Sequence, residues 1–242
     1  CLLLTFIHRM TGGKWGRILQ PYLAAGAATL PWALLFAVPL FFGLSDLFPW
    51  DRSNPSSLLA MHPTYLSPAG YIIRGALYFL LYLWLIHLTR RRDQAWTGPV
   101  GFIVFVLTTY LLSVDWVVAL EPGWYSTGFP VVLMASQAVS AMALSIAAAV
   151  WLKGSERAEE GARHTWVDLG NLMLAALMFW AYVSYGEFLI IWSSNLPKQS
   201  GWYVHRNAGG WHWILIALVL IHLVTPVLRL ISPRINRRSI AS

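Results

Sequence analysis

Hydrophobic residues occur in six separate runs along the chain, each about 20 residues long and nearly free of charged side chains. A run of this length matches the roughly 30 Å thickness of the hydrocarbon core of a bilayer at about 1.5 Å rise per residue in an α-helix. The runs predict transmembrane helices near residues 22 to 44, 69 to 89, 98 to 120, 128 to 152, 167 to 195 and 211 to 231. A shorter apolar segment at 1 to 8 predicts a partial helix before them. We therefore expect an all-α, polytopic transmembrane helix bundle that forms a single domain over residues 1–242.

Several features interrupt or end these runs. The prolines Pro31, Pro39 and Pro226 predict helix kinks, because proline lacks the backbone N–H and clashes with the preceding turn. The longest connection, residues 45 to 68, contains four further prolines and predicts an ordered outer loop. The apolar residues that follow Cys1 are typical of a helix that began earlier, so we expect the chain to be a fragment of a longer subunit.

Basic residues occupy every second connection between the runs. They are Arg9, Lys14 and Arg17; Arg90, Arg91 and Arg92; Lys153, Arg157 and Arg163; and Arg234, Arg237 and Arg238. The intervening connections, 45 to 68, 121 to 127 and 196 to 210, hold few basic residues and many prolines, glycines and aromatic residues. By the positive-inside rule the four basic segments are cytoplasmic, and so is the C-terminal end of the chain.

The composition excludes a soluble enzyme. The chain is 57% hydrophobic and 11% charged, whereas soluble domains carry about 25% charged residues. The net charge of +7 does not indicate nucleic-acid binding, because the basic residues lie at the ends of the apolar runs. Tryptophan and tyrosine residues lie near these ends too, as is typical of an aromatic belt at a membrane interface.

Three ionisable residues fall inside predicted helices at about the same depth. Arg74 lies about five residues outward from the middle of its helix, while Asp115 and Glu187 lie about six residues outward, roughly 8 to 9 Å. A charge inside the bilayer costs at least about 2.5 kcal/mol, so each requires a partner or a function. We expect a buried cluster in the outer half of the membrane, whose one positive and two negative charges share a proton or bind a polar ligand.

Hydroxyl groups follow Arg74 along one face of its helix, because Tyr78 and Tyr82 come four and eight residues later. Ser184 and Glu187 similarly share a helix face. We expect a proton path or a quinone-type cavity formed by Arg74, Tyr78, Asp115, Glu187 and His222. A salt bridge that only orients the helices is an equal alternative at this point.

His222 lies near the middle of the last run and is a candidate to relay protons or bind a quinone carbonyl, although a packing histidine is equally consistent. A b-type haem would require two histidines at mid-membrane depth, and His222 alone has that depth. No GxGxxG, P-loop, HExxH or Ser-His-Asp arrangement occurs at useful spacing. We therefore expect no b-type haem, no metal site and no catalytic residue of the soluble-enzyme kind.

Several strings resemble a known family. Asp115-Trp116 with Leu120-Glu121-Pro122-Gly123-Trp124-Tyr125-Ser126-Thr127 resembles the "DW..SLEP.WYST" signature of the F subunit of alternative complex III, a bacterial quinol:electron-acceptor oxidoreductase. Other stretches that agree are Tyr65-Leu66-Ser67, Ile72-Ile73-Arg74, Phe179-Trp180-Ala181-Tyr182, Ile191-Trp192, Asn195-Leu196-Pro197 and Gly201-Trp202-Tyr203-Val204-His205-Arg206. The resemblance spans roughly residues 8 to 231, and its longest string is its most specific part.

The resemblance implies a cofactor-free subunit of the bacterial inner membrane, similar in fold to the quinol-binding subunits of the polysulfide-reductase type. Its expected partners are membrane lipid, a homologous quinol-binding subunit, and multihaem cytochrome c and iron-sulfur subunits that dock on the outer side. The expected roles are assembly of the complex and proton translocation, with Asp115 as the titrating group and Arg74 holding its charge. Glutamine is frequent in the family where Glu187 stands, so a proton-carrying Glu187 is not a family trait.

Three other functions are compatible with the residues. A quinol-binding and quinol-oxidising subunit would use Asp115 or His222 to accept the quinol proton, within a cavity open to lipid. A secondary transporter would show an inverted repeat and helices interrupted at mid-membrane, and the sequence has no convincing internal repeat. A purely structural scaffold would need none of these groups to titrate.

Overall fold

The computed structural model describes residues 1–44, 65, 67–91, 94–121, 124–152 and 160–231. These residues are 88% helical and contain no strand. In this part of the chain, six segments are long and apolar enough to cross a membrane: Trp15–Leu40, Pro68–Arg90, Thr97–Leu120, Phe129–Leu152, His164–Ser194 and Trp211–Ile231. The predicted all-α, polytopic membrane bundle is thereby confirmed.

The α-helices of the described residues are α1 (Leu2–Thr11), α2 (Trp15–Ala28), α3 (Leu30–Phe42), α4 (Pro68–Arg90), α5 (Thr97–Trp116), α6 (Phe129–Leu152), α7 (Glu160–Ser194), α8 (Pro197–Asn207), α9 (Trp211–Leu218) and α10 (Thr225–Ile231). A 3₁₀ turn, Val118–Leu120, follows α5. A π-helical segment, Val219–Val224, joins α9 to α10. The pairs α2 with α3 and α9 with α10 therefore each form one candidate span.

The partial helix expected at 1 to 8 is α1, and it lies in the centre of the bundle. Phe6 is fully buried and packs with Leu85 of α4 and Phe105 of α5. Leu4 packs into a second cluster that contains Leu19 of α2 and residues of α6 and α7. The apolar side chains of α1 thus connect the two hydrophobic clusters.

Interruptions occur at two of the three prolines singled out in the sequence. The first span divides at Thr29, two residues before Pro31, since proline cannot donate to the carbonyl four residues earlier. The last span has its π-helical segment just before Pro226, and there the Thr225 hydroxyl donates to the Leu220 carbonyl at 2.8 Å. Pro39 lies inside α3.

Helix α8 lies where the sequence predicts a connection, at 196 to 210. It begins at Pro197, whose fixed φ suits a first helical turn, and it runs to Asn207. Its aromatic residues pack against neighbouring elements, with Tyr203 edge-on to Phe188 of α7 at 5.5 Å. A hydropathy profile does not predict this helix, because the segment has few apolar residues. Packing of its aromatic side chains against neighbouring elements stabilises the helix.

Some predicted segments lie outside the described residues. These are the greater part of the connection 45 to 68, Lys153 and Arg157 in the third basic segment, and Arg234, Arg237 and Arg238 in the fourth.

Candidate functional site

A buried ion pair joins α4 to the end of α5. The Nε atom of Arg74 lies 2.7 Å from Oδ2 of Asp115, and the side chains are 19% and 3% exposed. Arg74 lies in the second turn of α4 and Asp115 in the last turn of α5. The pair therefore holds these two helices together at one end of the bundle.

Two tyrosine hydroxyls complete the surroundings of this carboxylate. Tyr78 donates to Oδ2 of Asp115 and Tyr65 donates to Oδ1, each at 2.7 Å. Together with Arg74, the carboxylate accepts from three donors, of which one is a cation. Buried polar groups are normally hydrogen-bonded, and hydrogen bonds between a guanidinium and a carboxylate are among the strong ones. These three donors therefore favour an ionised Asp115 paired with a charged Arg74.

Tyr65 was not among the predicted site residues. Its carbonyl accepts from Nη1 of Arg74 at 2.7 Å, and its ring lies 3.8 Å from the guanidinium carbon. Burial, followed by the hydrogen bond to Asp115, raises the pKa of Tyr65 to about 12. Ser67 starts α4 just after it by accepting from the Gly70 N–H at 3.1 Å. The signal in the sequence is the Tyr65-Leu66-Ser67 string, but only the folded chain shows Tyr65 against Arg74.

The hydroxyl face predicted on α4 continues one turn further. The hydroxyl of Tyr82 lies 2.8 Å from the hydroxyl of Thr109 on α5. Thr109 donates to the Phe105 carbonyl at 2.7 Å, and Ser113 donates to the Thr109 carbonyl at 2.6 Å. Polar contacts between α4 and α5 therefore extend from Arg74 toward the middle of the two helices.

Glu187 lies outside this contact, contrary to the expected cluster of one positive and two negative charges. The ion pair that the structure describes for Arg74 is with Asp115. Helix α7 packs chiefly against α6, and the side chain of Glu187 lies beside Gly128 and the hydroxyl of Ser126. Glu187 is 7% exposed, and its Oε1 atom has no hydrogen-bond partner among the described residues. The equal depth that the sequence predicts for Asp115 and Glu187 thus does not bring Glu187 into contact with Arg74.

His222 is also separate from the Arg74 and Asp115 pair. It lies in the π-helical segment, and its ring packs edge-on against Trp180 of α7, with 5.6 Å between the ring centroids. The histidine is exposed on the bundle surface. Its predicted role in a proton path or a quinone site stays a prediction.

A cavity of about 550 Å³ opens between the first span and the helices α4 and α5. Its walls are largely apolar, and they include Phe79 and Tyr82 of α4 together with Leu112 and Trp116 of α5. Two of its lining residues are close in sequence to residues of the ion pair and its hydrogen bonds, since Trp116 follows Asp115 and Tyr82 lies one turn from Tyr78. A volume of this size is within the range of small-molecule sites.

The strings that resemble the family contact one another at the same end of the bundle. Trp124 stacks on Trp202 with 4.9 Å between centroids and packs edge-on against Phe129. The guanidinium carbon of Arg206 lies 3.7 Å from the Trp202 ring. Ser126 accepts from the N–H groups of Gly128 and Phe129 at 3.1 and 3.2 Å, which caps the start of α6.

Within the described ranges, no three His, Cys, Asp or Glu side chains are grouped so that they could hold a metal ion. No protein-family model matches the chain, and no curated protein is a significant match to it. Function is therefore inferred from the residues of this chain and their contacts.

Proposed function

We propose that this chain is a membrane subunit of a bacterial quinol:electron-acceptor oxidoreductase of the alternative complex III type, without a redox cofactor of its own. The observation that carries the proposal is the string from Asp115 to Thr127, which resembles the signature of the F subunit. Residues of this string also make contacts that hold neighbouring helices together. Asp115 forms the buried ion pair, Trp124 packs on Trp202 and Ser126 caps α6.

In this proposal the subunit supports assembly first. Residues of the signature hold the ends of α5, α6 and α8 in one arrangement, which presents a defined surface to the multihaem cytochrome c and iron-sulfur subunits on the outer side. A rigid surface favours association, because fewer side chains and loops lose freedom when a partner binds.

Proton translocation is the second proposed role. The hydroxyls of Tyr78 and Tyr65 both donate to the carboxylate of Asp115. In this path Tyr78 passes its phenolic proton to Asp115 as it gains a proton from the inner side. Asp115 then passes a proton to Tyr65 as Tyr65 releases its own proton to the outer side, so both phenols end protonated. Each transfer would leave Arg74 without its counter-charge for as long as Asp115 is protonated. Because the loss of this counter-charge costs free energy, protonation of Asp115 is the slow step in any such path.

The assignment is tested by purifying the protein from native bacterial membranes in a mild detergent. Co-purification of a multihaem cytochrome c and an iron-sulfur protein, with quinol oxidation by the preparation, is the expected result. A preparation that lacks haem and binds a solute would overturn the assignment. In the intact complex, Asp115→Asn with normal assembly but lost proton pumping supports the proton path, whereas unchanged pumping and turnover favour a purely structural subunit.

A quinol-binding role for the chain itself is the second candidate, and the cavity beside Phe79 and Tyr82 favours it. Its apolar walls and the few polar groups in it suit a quinone ring. Photolabelling with an azidoquinone should modify residues of this cavity, and Leu112→Trp, which fills it, should abolish the labelling. Leu111→Trp is the matched control, because Leu111 is 47% exposed on the bundle surface. Labelling that survives Leu112→Trp would exclude this cavity as the site.

A further inference from the structure

Glu187 is a buried carboxyl group whose hydrogen bonds are incomplete. Its side chain is 7% exposed, and its Oε1 atom has no hydrogen-bond partner in the described part of the chain. The hydroxyl oxygen of Ser184, three residues earlier on the same face of α7, is also buried and has no hydrogen-bond partner among these residues. Two unsatisfied polar atoms thus lie within one turn of the same helix, and buried polar atoms of this kind require an explanation.

Among the residues that the structure describes, Glu187 forms no ion pair. Helix α6, which packs along α7, contains no ionisable residue. The neighbours with titratable or hydroxyl groups are Ser126 in the connection before α6 and Tyr203 on α8. On α8 the guanidinium of Arg206 lies over the Trp202 ring.

The remaining helices that pack against α7 carry their ionisable groups elsewhere. His222 lies against Trp180, seven residues or roughly 10 Å along α7 from Glu187. Leu230, the residue after Arg229 on α10, packs near Gly170, in the opposite half of α7. Helix α2 meets α7 through Leu19 and Leu23, whose cluster contains Leu169.

We propose that Glu187 is a proton-exchange site at the outer end of the bundle. A buried carboxylate without a cation is costly, whereas the neutral acid carries no charge and can donate one hydrogen bond. Glu187 therefore holds a proton as a carboxylic acid. Its release breaks the carboxyl O–H bond and transfers the proton to water, which leaves a carboxylate that accepts from the Ser126 hydroxyl. Uptake reverses the same step.

The position of Glu187 suits exchange with the outer surface. It lies seven residues before the end of α7 at Ser194, roughly 10 Å along the helix. Its neighbour Ser126 is adjacent to Tyr125, which is 64% exposed. Asp115, in contrast, accepts from three donors, one of which is the cation Arg74, so the two carboxyl groups have different chemistry. This inference does not depend on the proposed function, because it concerns only the local surroundings of Glu187.

Dicyclohexylcarbodiimide, which reacts with protonated carboxyl groups in apolar surroundings, tests the proposal on the unmodified protein in its membrane. Mass spectrometry should locate the adduct on the peptide that contains Glu187, and the yield should fall several-fold as the pH of labelling is raised. An adduct on Asp115 with none on Glu187, or a Glu187 yield that does not depend on pH, overturns the proposal.

Infrared spectroscopy of variants gives an independent readout. The carbonyl band of a protonated carboxylic acid should be present at neutral pH in the wild-type protein, shift on transfer to D₂O, and disappear in Glu187→Gln. Asp115→Asn is the matched control and should retain the band. Glu187→Asp should restore a shifted band. A band that persists in Glu187→Gln, or one that is lost in Asp115→Asn alone, assigns the proton to another group and contradicts the proposal.

Discussion

At the scale of single residues, the chemistry of a buried carboxyl group depends more on its hydrogen-bond and charge partners than on its position along the helix. Asp115 and Glu187 are both buried near the same end of the bundle, at 3% and 7% exposure. Asp115 contacts a guanidinium and two hydroxyls. Glu187 contacts one hydroxyl, and its Oε1 atom has no hydrogen-bond partner within the described ranges. The first group stabilises the fold and the second is available for exchange.

The ion pair is expected to contribute strongly to stability. Asp115→Asn leaves the guanidinium of Arg74 without its counter-charge, so we expect the free energy of unfolding to fall by about 3 kcal/mol. This lies at the lower end of the range for buried pairs because Arg74 is 19% exposed and keeps some contact with water. Reversible unfolding in mixed micelles measures the change.

A double-mutant cycle separates the pair from each residue alone. Each single leucine variant leaves one uncompensated charge, whereas the double variant leaves none. The free energy of unfolding of the double variant should therefore fall by at least about 1 kcal/mol less than the sum of the losses in Arg74→Leu and Asp115→Leu. Strict additivity of the two single losses would show that the ion pair contributes no coupling.

Alkaline titration tests the contact of Tyr65 with Asp115. Burial and this hydrogen bond raise the pKa of Tyr65 from its ordinary value of 10 to about 12. Because the folded-state value is the higher one, the stability from this phenol is fully present below pH 10 and is lost as the pH rises through 12. The difference in phenolate absorbance between wild type and Tyr65→Phe should therefore appear near pH 12.

Two variants check that titration. Asp115→Asn should move the Tyr65 transition toward lower pH, because the negative charge that opposes phenolate formation is gone. Tyr125→Phe, at a 64% exposed position, controls for the loss of one tyrosine. A Tyr65 transition near pH 10 in the wild type would contradict the described contact.

At the scale of elements, α1 determines how α4 and α5 pack. It is shorter than the spans, yet its Phe6 ring fills the space against Gly101 of α5. Arg9 at its other end donates to the carbonyls of Leu88 and Thr89 and to the hydroxyl of Thr97. A basic side chain at the C-terminal end of α4 is favoured by the helix dipole as well.

The packing of Phe6 predicts a difference between two glycine variants. A Cβ atom at Gly101 would overlap the buried Phe6 ring, so Gly101→Ala should lower the free energy of unfolding by about 1–3 kcal/mol. Gly186→Ala is the matched control within α7, where a Cβ atom meets nothing within 4 Å. That change should be neutral or stabilising by up to about 1 kcal/mol, because alanine is the better helix former. If thermal unfolding shows the same loss of stability for Gly101→Ala and Gly186→Ala, the tight contact between Gly101 and Phe6 is refuted.

At the scale of the whole molecule, basic connections lie at one end of the described bundle and aromatic connections at the other. Arg9 brings the first basic segment to the ends of α4 and α5 that flank the second basic segment. At the opposite end, Tyr65 contacts Asp115, and Trp124 contacts Trp202. In the described part of the chain, the first two basic connections and the aromatic connections thus lie at different ends of the bundle.

Membrane orientation follows from this asymmetry as a prediction. With the basic end cytoplasmic, a cysteine at position 125 should react with a membrane-impermeant maleimide in right-side-out vesicles. One at position 96, in the basic connection, should react only after permeabilisation. Cys1→Ser provides the background, since the sequence contains one cysteine. Both native positions, Tyr125 and Trp96, are exposed, at 64% and 49%. The reverse labelling pattern would invert the orientation.

The sequence by itself determined the class of protein and the position of its spans. Hydropathy is a local property, and a bilayer requires about 20 apolar residues in each helix that crosses it, so every span could be located within several residues. The Arg74, Tyr78 and Tyr82 face on α4 followed from helical periodicity alone. Proline chemistry likewise located the two interruptions at Pro31 and Pro226.

Only the tertiary structure decided which groups meet. Depth along a helix can be counted from the sequence, but the rotation of each helix and its neighbours depend on packing across the whole bundle. That is why Asp115 and Tyr65 join Arg74, while Glu187 faces the start of α6. For the same reason hydropathy does not predict α8, whose aromatic residues pack against Trp124 and Phe188.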